Sequence, residues 1–331
     1  MQSTLIYGHS KNFLVLLEAA DEYAKSHWPI LILGETGTGK ELLAQRIHEK
    51  SGRRGAFVAI NCGAIPSGLF ESELFGYERG AFSGAVQNFR GLLRAAQGGT
   101  LFLDEVGELE LQAQVKLLRL FEKGEVRSLG SSRTELADVR FIAATNCDLH
   151  DAAAAGYFRV DLLARLAVLA IRIPPLRERK DDIIAISKHW LHALKCDFDE
   201  ANLCLLQNHP WPGNIRQLKN VLVRASLLGK GRITHQLLES ILSDELSAFE
   251  AFSCSASGTL ADIEKHAIVD TLKRYQGNRK KTAEALGIAK STLHEKLRRW
   301  KKHSHPVDWP ADCRVIGHKS NSGSRPDTVV V

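Results

Sequence analysis

Four apolar residues, Ile30 to Leu33, run directly into Gly34-Glu35-Thr36-Gly37-Thr38-Gly39-Lys40, and these into the helical pattern Glu41-Leu42-Leu43-Ala44-Gln45-Arg46-Ile47. Strand, G-x-x-x-x-G-K loop and helix in that order make a cradle for phosphate. Glycines let successive backbone N–H groups curl around an anion, the helix N-terminus adds positive potential, and Lys40 reaches the outer phosphates of a nucleoside triphosphate such as ATP. The plain alternative is a glycine-rich turn with no ligand, and the correct flanking strand and helix speak against it. Glu41 stands where such loops usually carry Ser or Thr, so no hydroxyl is offered there to magnesium.

Four more short apolar runs read as strands: Phe57 to Ile60, Thr100 to Leu103, Val139 to Ala143 and Leu169 to Ile173. All are apolar on both faces and separated by helical patterns, which predicts a buried parallel sheet with helices on either side. After Pro174-Pro175 the strand signal ends and amphipathic helices fill residues 181 to 243. The fold class is therefore α/β: a phosphate-loop parallel sheet flanked by helices over 1–173 and a helical lid over 174–243. Residues 244–258, ending in Ser253-Cys254-Ser255-Ala256-Ser257-Gly258, read as a linker. Beyond His303 the chain has three prolines, several Gly and Ser and no periodicity, and 304–331 reads as a disordered tail. No run is long enough to cross a bilayer and no signal peptide is visible, so a cytoplasmic protein without membrane contact is expected. The six cysteines are scattered without a CxxC pair, which favours reduced thiols over disulfides or zinc.

The strand Gly99-Thr100-Leu101-Phe102-Leu103 ends in Asp104-Glu105. An acidic strand end by itself is usually only solvated. Following a phosphate loop, Asp104 is placed to hold the Mg2+ that accompanies ATP, and Glu105 to orient and deprotonate the attacking water.

Residues 259–303 carry 12 Lys+Arg against 5 Asp+Glu, whereas the rest of the chain has 32 basic and 33 acidic residues. The entire basic excess thus sits in one C-terminal module, as a nucleic-acid footprint requires. Helical patterns over Leu260–Tyr275, Arg279–Leu286 and Lys290–Trp300, broken at Gly277-Asn278 and Gly287, have helix-turn-helix spacing. On double-stranded DNA, Ser291, Thr292, His294 and Glu295 would face base edges, while Arg279, Lys280, Lys290, Lys296, Arg298 and Arg299 would contact phosphates. A charged three-helix bundle that binds protein is the competing reading. Ala289 occupies a helix N-cap position where Ser is common, at a cost of ~1 kcal/mol.

Between the two ATP motifs stands Glu71-Ser72-Glu73-Leu74-Phe75-Gly76-Tyr77-Glu78-Arg79-Gly80-Ala81-Phe82-Ser83-Gly84-Ala85. It closely resembles the ESELFGHE…GAFTGA signature of the sigma-54-dependent activators, or bacterial enhancer-binding proteins, and the likeness extends from about Tyr7 to His303. The resemblance implies an AAA+ ATPase with a Fis-type helix-turn-helix, working as a ring, typically a hexamer. In this family ATP hydrolysis remodels the closed complex of sigma-54 RNA polymerase holoenzyme into the open one, and the helix-turn-helix anchors the protein at an upstream enhancer. It further implies that Gly80, Ala81, Phe82, Ser83, Gly84 and Ala85 contact sigma-54, with Ser83 in place of the usual Thr. Asn61 would be the switch residue for Glu105, Thr145-Asn146 the sensor I pair, Arg159 and Arg165 the fingers supplied to a neighbouring subunit, and Arg216 the sensor II arginine of the lid.

Two competing functions remain. A DNA-binding regulator with a degenerate ATPase core is disfavoured by intact Lys40, Asp104, Glu105, Arg159 and Arg165, and an unfoldase or helicase loader by Phe82 and its loop. The chain starts almost at the ATPase, so the expectation is control by a separate regulatory protein or by expression level rather than by an N-terminal sensor module.

Overall fold

The structure, a computed structural model, describes residues 8–256, 264, 268, 271, 272, 275, 278–290, 292, 293, 296 and 297. These divide into two compact units, one ending at Ser243 and one beginning at Asp244.

The first unit runs α1 (Lys11–Ala24), β1 (Ile30–Leu33), α2 (Lys40–Lys50), β2 (Phe57–Asn61), α3 (Phe70–Phe75), α4 (Leu92–Ala95), β3 (Thr100–Asp104) and α5 (Leu111–Lys123). It continues through the short strands β4 (Glu125–Val126) and β5 (Glu135–Leu136), then β6 (Arg140–Thr145), α6 (Leu149–Ala154), α7 (Val160–Leu166) and β7 (Leu169–Arg172). The lid follows as α8 (Lys180–Ala193), β8 (Asp197–Phe198), α9 (Glu200–Asn208), α10 (Asn214–Leu228), β9 (Arg232–Ile233) and α11 (His235–Ala256).

The five strands read from the sequence pair in parallel, in the order β2-β3-β6-β1-β7. Successive residues of β1 serve opposite cores, because strand side chains alternate between faces. Ile30 and Ile32 join Phe13, Leu43, Ile47 and Ile142 beneath α1 and α2, while Leu31 joins Leu101, Leu117, Leu162 and Leu166 beneath α5 and α7. The central strand β6 is buried throughout and the edge strands β2 and β7 are not. Buried Arg140 reaches across to the end of α1, donating to the carbonyls of Tyr23 and Ala24. With β1 between β6 and β7, the connection leaving β1 runs toward β2 at one edge while that leaving β6 runs toward β7 at the other, and in such sheets ligands bind at the carboxyl ends beside that point.

Three expectations need correction. A parallel two-residue ladder, β8 with β9, stands in the lid where no strand was expected. A second two-residue ladder, β4 antiparallel with β5, closes a hairpin before β6. The span read as a linker is helical to Ala256, since α11 continues through it. Between Asp244 and Ser257 the sequence holds neither Gly nor Pro, so nothing in it breaks a helix despite its small residues.

In the second unit Ile268, Leu272, Ala283, Leu293 and Leu297 form a small core. The helix Arg279–Ala285 starts with the Asn278 carboxamide oxygen accepting from Lys281 N at 3.2 Å and stops at Gly287, whose φ of +65° favours a residue without a side chain. Leu293 N donates to Ala289 O at 3.1 Å, which places Ala289 at the start of the next helical turn. The expected tail 304–331 lies outside the described residues.

Candidate functional site: a nucleotide cradle and an exposed aromatic loop

The carboxyl ends of β1, β3 and β6 bring the phosphate loop, Asp104-Glu105 and Thr145-Asn146 to one edge of the sheet. Gly39 has φ +101° and caps α2, a geometry that requires glycine. Gly37 is required for a second reason: a Cβ there would sit 2.3 Å from the Gly213 carbonyl of the lid. Lys40 is buried, its Nζ donating to Gly34 O at 2.9 Å and lying 3.3 Å from Glu105 Oε1. The other carboxylate oxygen of Glu105 accepts from Asn146 N at 3.2 Å, and Asn146 Nδ2 donates to Thr36 Oγ1 at 3.1 Å. Phosphate loop, strand-end carboxylate and sensor pair are thus joined by direct hydrogen bonds. Glu105 itself holds φ +51°, a left-handed backbone uncommon outside Gly, Asn and Asp.

Burial pushes the Asp104 carboxyl above its ordinary value, with Glu105's charge adding to the shift and Lys40 opposing it. A site that resists accumulating negative charge in this way is suited to a cation. Burial, with Asp104 and Glu105 nearby, pushes the Cys62 thiol up to about 12, so it stays protonated and unreactive.

Asn61 pairs in register with Asp104 on the neighbouring strand. Its side-chain oxygen, however, accepts from Ala64 N at 3.1 Å and caps the turn Cys62–Ala64, while Glu105 is held by Lys40 and Asn146. Arg159 is clamped by both Asp161 oxygens at 3.0 and 2.7 Å, and Arg165 is exposed on the last turn of α7. Among the described residues neither arginine bonds to the phosphate loop of its own chain. Arg216 is exposed on the first turn of α10, close above Gly37.

Three residues that hold this site, Arg177, Arg179 and Asp182, were not singled out from sequence. Glu35 receives both guanidinium nitrogens of Arg177 at 2.8 and 2.7 Å, which holds its carboxyl below the ordinary range. Buried Arg179 donates to Thr38 O at 3.0 Å and lies 4.6 Å over the Phe13 ring, its pKa pushed down to about 10 by desolvation. Fully buried Asp182, on α8, accepts from His9 N, Ser10 N and Ser10 Oγ at 2.5, 2.7 and 3.0 Å. The run Leu176-Arg177-Glu178-Arg179-Lys180-Asp181-Asp182 carries most of these partners, and its charge density directly after two prolines was the available signal.

The loop 80–85 leaves the body between the paired strands of Tyr77 and Phe89, which exchange backbone hydrogen bonds at 2.9 Å. It closes on itself through Gly80 N to Ala85 O and Ala85 N to Phe82 O. Phe82 is 41% exposed and meets the Tyr77 ring edge-on at 5.0 Å between centroids, while Ala85 is buried beneath it. Arg94 ties the loop's base to the β4–β5 hairpin, bonding Phe75 O, Arg90 O, Ser128 Oγ and Glu135.

Of the expected DNA contacts, Ser291, His294, Glu295, Arg298 and Arg299 lie outside the described residues, as does the side chain of Lys280. Arg279, Lys290 and Thr292 lie on helical segments of the second unit, and Lys296 is paired with Glu264 at 2.8 Å.

Residues 6–172 match the family described as Sigma-54 interaction domain, 177–251 the AAA+ ATPase lid domain, and 259–300 the bacterial regulatory protein, Fis family. The chain is 44% identical over 307 residues to a protein of Geobacillus stearothermophilus named limonene hydroxylase, covering 89% of this chain and 56% of that protein. It is 42% identical over 315 residues to the C4-dicarboxylate transport transcriptional regulatory protein DctD of Pseudomonas aeruginosa, covering 93% and 66%. Against the crystal structure of NtrX from Brucella abortus in complex with ADP, the TM-score is 0.67 at 31% identity, over 89% of this chain and 69% of that one. The chain therefore spans 56% to 66% of the length of these two curated relatives. With sigma-54 interaction domain, AAA+ lid and Fis-type helix-turn-helix matched in that order, the chain belongs to the sigma-54-dependent transcriptional activators, the bacterial enhancer-binding proteins.

Proposed function

We propose that this chain binds ATP and Mg2+ on residues 34–41, hydrolyses ATP within a ring, and uses that cycle to convert sigma-54 RNA polymerase holoenzyme from the closed to the open complex. The observation that carries the reading is the convergence of Lys40 and Asn146 on the two oxygens of Glu105, at 3.3 and 3.2 Å. Glu105 held in this way can orient a water against the γ-phosphate while Lys40 offsets the charge that develops. Asp104 would hold Mg2+ together with phosphate oxygens, in keeping with an ion that prefers one or two carboxylates and retains several waters. Arg159 and Arg165, exposed on or beside α7, would serve the ATP of the adjacent subunit, so Arg159 must leave Asp161 on assembly. Phosphate release from purified protein with Mg-ATP tests the reading. Specific activity should rise with protein concentration, because a lone subunit lacks its neighbour's arginines. Enhancer binding without hydrolysis at any concentration would favour a non-enzymatic regulator instead.

Enhancer binding is assigned to residues 259–303. Deleting the chain from Leu260 onward should abolish site-specific DNA binding and leave hydrolysis. In the intact protein the logarithm of affinity should fall with log salt by about 0.9 per phosphate contact, as counterions are released. Footprinting at two salt concentrations reads both effects. Enhancer binding retained by the truncation would sink the assignment.

A further inference from the structure

Where the lid meets the phosphate loop, the polar atoms of one buried side chain are all engaged. Asn214, the first residue of α10, is fully buried. Its Oδ1 accepts from Leu176 N at 2.7 Å, on the connection from β7 into the lid. Its Nδ2 donates to Glu35 Oε2 and to Thr36 O, both at 3.1 Å. The next residue continues the seam, Ile215 N donating to Gly37 O at 3.0 Å. Asn214 has φ +52°, a left-handed backbone that asparagine tolerates better than most residues.

We propose that Asn214 is the positioning residue that sets Arg216 over the nucleotide, an inference that rests on the ATPase reading above. The chemistry of the contact requires an amide. One acceptor and two donors are used, and no carboxylate, hydroxyl or methyl of that size supplies all three. Its partners on the loop are the Glu35 carboxylate and the carbonyl of residue 36, with the carbonyl of residue 37 taken by Ile215, so α10 is bonded to the peptide units whose N–H groups surround phosphate. Arg216 lies two residues further along the same first turn. A shift of the loop on gaining or losing a phosphate is thereby delivered to Arg216, and loss of the amide frees Arg216 from the loop. Asn214 itself does not touch the reacting atoms, so it governs nucleotide affinity more than the chemical step.

The side chains at 35 and 214 can be exchanged in kind. Asn214→Asp removes both donors and sets a second carboxylate against Glu35, whereas the double variant with Glu35→Gln restores one amide-to-carboxylate bond with its direction reversed and keeps a carboxylate near Arg177. In the full-length chain, affinity for methylanthraniloyl-ADP should fall about thirty-fold in Asn214→Asp, the factor for one charge-assisted hydrogen bond. The KM for ATP should rise in parallel, with kcat at saturation changed by less than about three-fold. The double variant should bind at least about five-fold tighter than Asn214→Asp, since the exchanged pair regains most of one such bond. If Asn214 merely caps α10, Asn214→Asp lowers the melting temperature but leaves affinity unchanged, and the second substitution gives no recovery; that result overturns the proposal alone. Failure of the wild-type chain to bind the analogue overturns the ATPase reading and the proposal with it. Should Asn214→Asp not fold, Glu35→Gln decides, because Glu35 is partly exposed: it should weaken the analogue several-fold, and unchanged affinity counts against the latch.

Discussion

On the proposed function, an alanine at position 82 should leave the protein folded, assembled and hydrolysing ATP, yet unable to capture sigma-54 in the presence of a γ-phosphate transition-state mimic, and transcription from a sigma-54 promoter should be lost. Were Phe82 a core residue, its truncation would cost roughly 3 to 5 kcal/mol. At 41% exposure, with a single edge-on contact to Tyr77, it stands to lose only about 1 kcal/mol, the worth of one aromatic pair. The backbone hydrogen bonds that shape the loop, Gly80 to Ala85 and Ala85 to Phe82, involve no side chain and survive the substitution. What disappears is the exposed apolar ring; on the proposed function, the affinity it gives for sigma-54 in the ATP-loaded state is what would couple the cycle to the polymerase. Ser83 is exposed, so Ser83→Thr adds a methyl into open space and should leave coupling intact or strengthen it. Wild-type activation by Phe82→Ala, measured in a reconstituted open-complex assay, would end the sigma-54 assignment for this loop.

Glu105→Gln has the larger effect on chemistry: kcat should drop by about a thousand-fold, within the range for removing a general base, while ATP binding persists. Glutamine keeps one acceptor oxygen, for either Lys40 or Asn146 N, sets an NH2 against the other, and cannot take a proton from water. Because hydrolysis no longer discharges the ATP-loaded conformation, this variant should capture sigma-54 with ATP itself, without the mimic. Single-turnover hydrolysis and a pull-down with labelled sigma-54 check the two halves. Hydrolysis within ten-fold of wild type would remove Glu105 from the catalytic role.

The sheet was legible because its five strands are short, mostly apolar runs, with Arg140 in β6 and Arg172 in β7 as the charged interruptions, and burial of the inner strands leaves that mark in any register. The ladders β4–β5 and β8–β9 were not, since two residues carry no period. In α11 composition misled: Ser, Ala and Cys are weak core formers, but they do not terminate a helix. The motifs that carry Lys40, Asp104, Glu105 and Asn146 meet at one edge because β1, β3 and β6 are parallel and each motif follows the carboxyl end of one of them. Partners set by side-chain reach escaped. Nothing in the spacing of Arg159 and Asp161 announces a bidentate pair, and nothing in Trp211-Pro212-Gly213-Asn214-Ile215-Arg216 shows that the Asn214 amide reaches Glu35 and Thr36. Asn61 was expected to hold Glu105; it closes β2 opposite Asp104, and its side chain turns to the local N–H of Ala64, a contact available to any short amide at a turn.

The three hydrogen bonds from residues 9 and 10 to Asp182 also define a path for force. Tension applied to the backbone at Gly8 meets α8 of the lid before it reaches the sheet, since Asp182 holds the chain at His9 and Ser10 while α1 is secured farther along, at Phe13 under Arg179 and at Tyr23 and Ala24 by Arg140. The same Arg179 bonds the phosphate loop at Thr38, so a pull that displaced α8 would strain the cradle directly. Mechanically, the backbone at His9 and Ser10 is moored to the lid by one buried carboxylate before it is moored to the sheet.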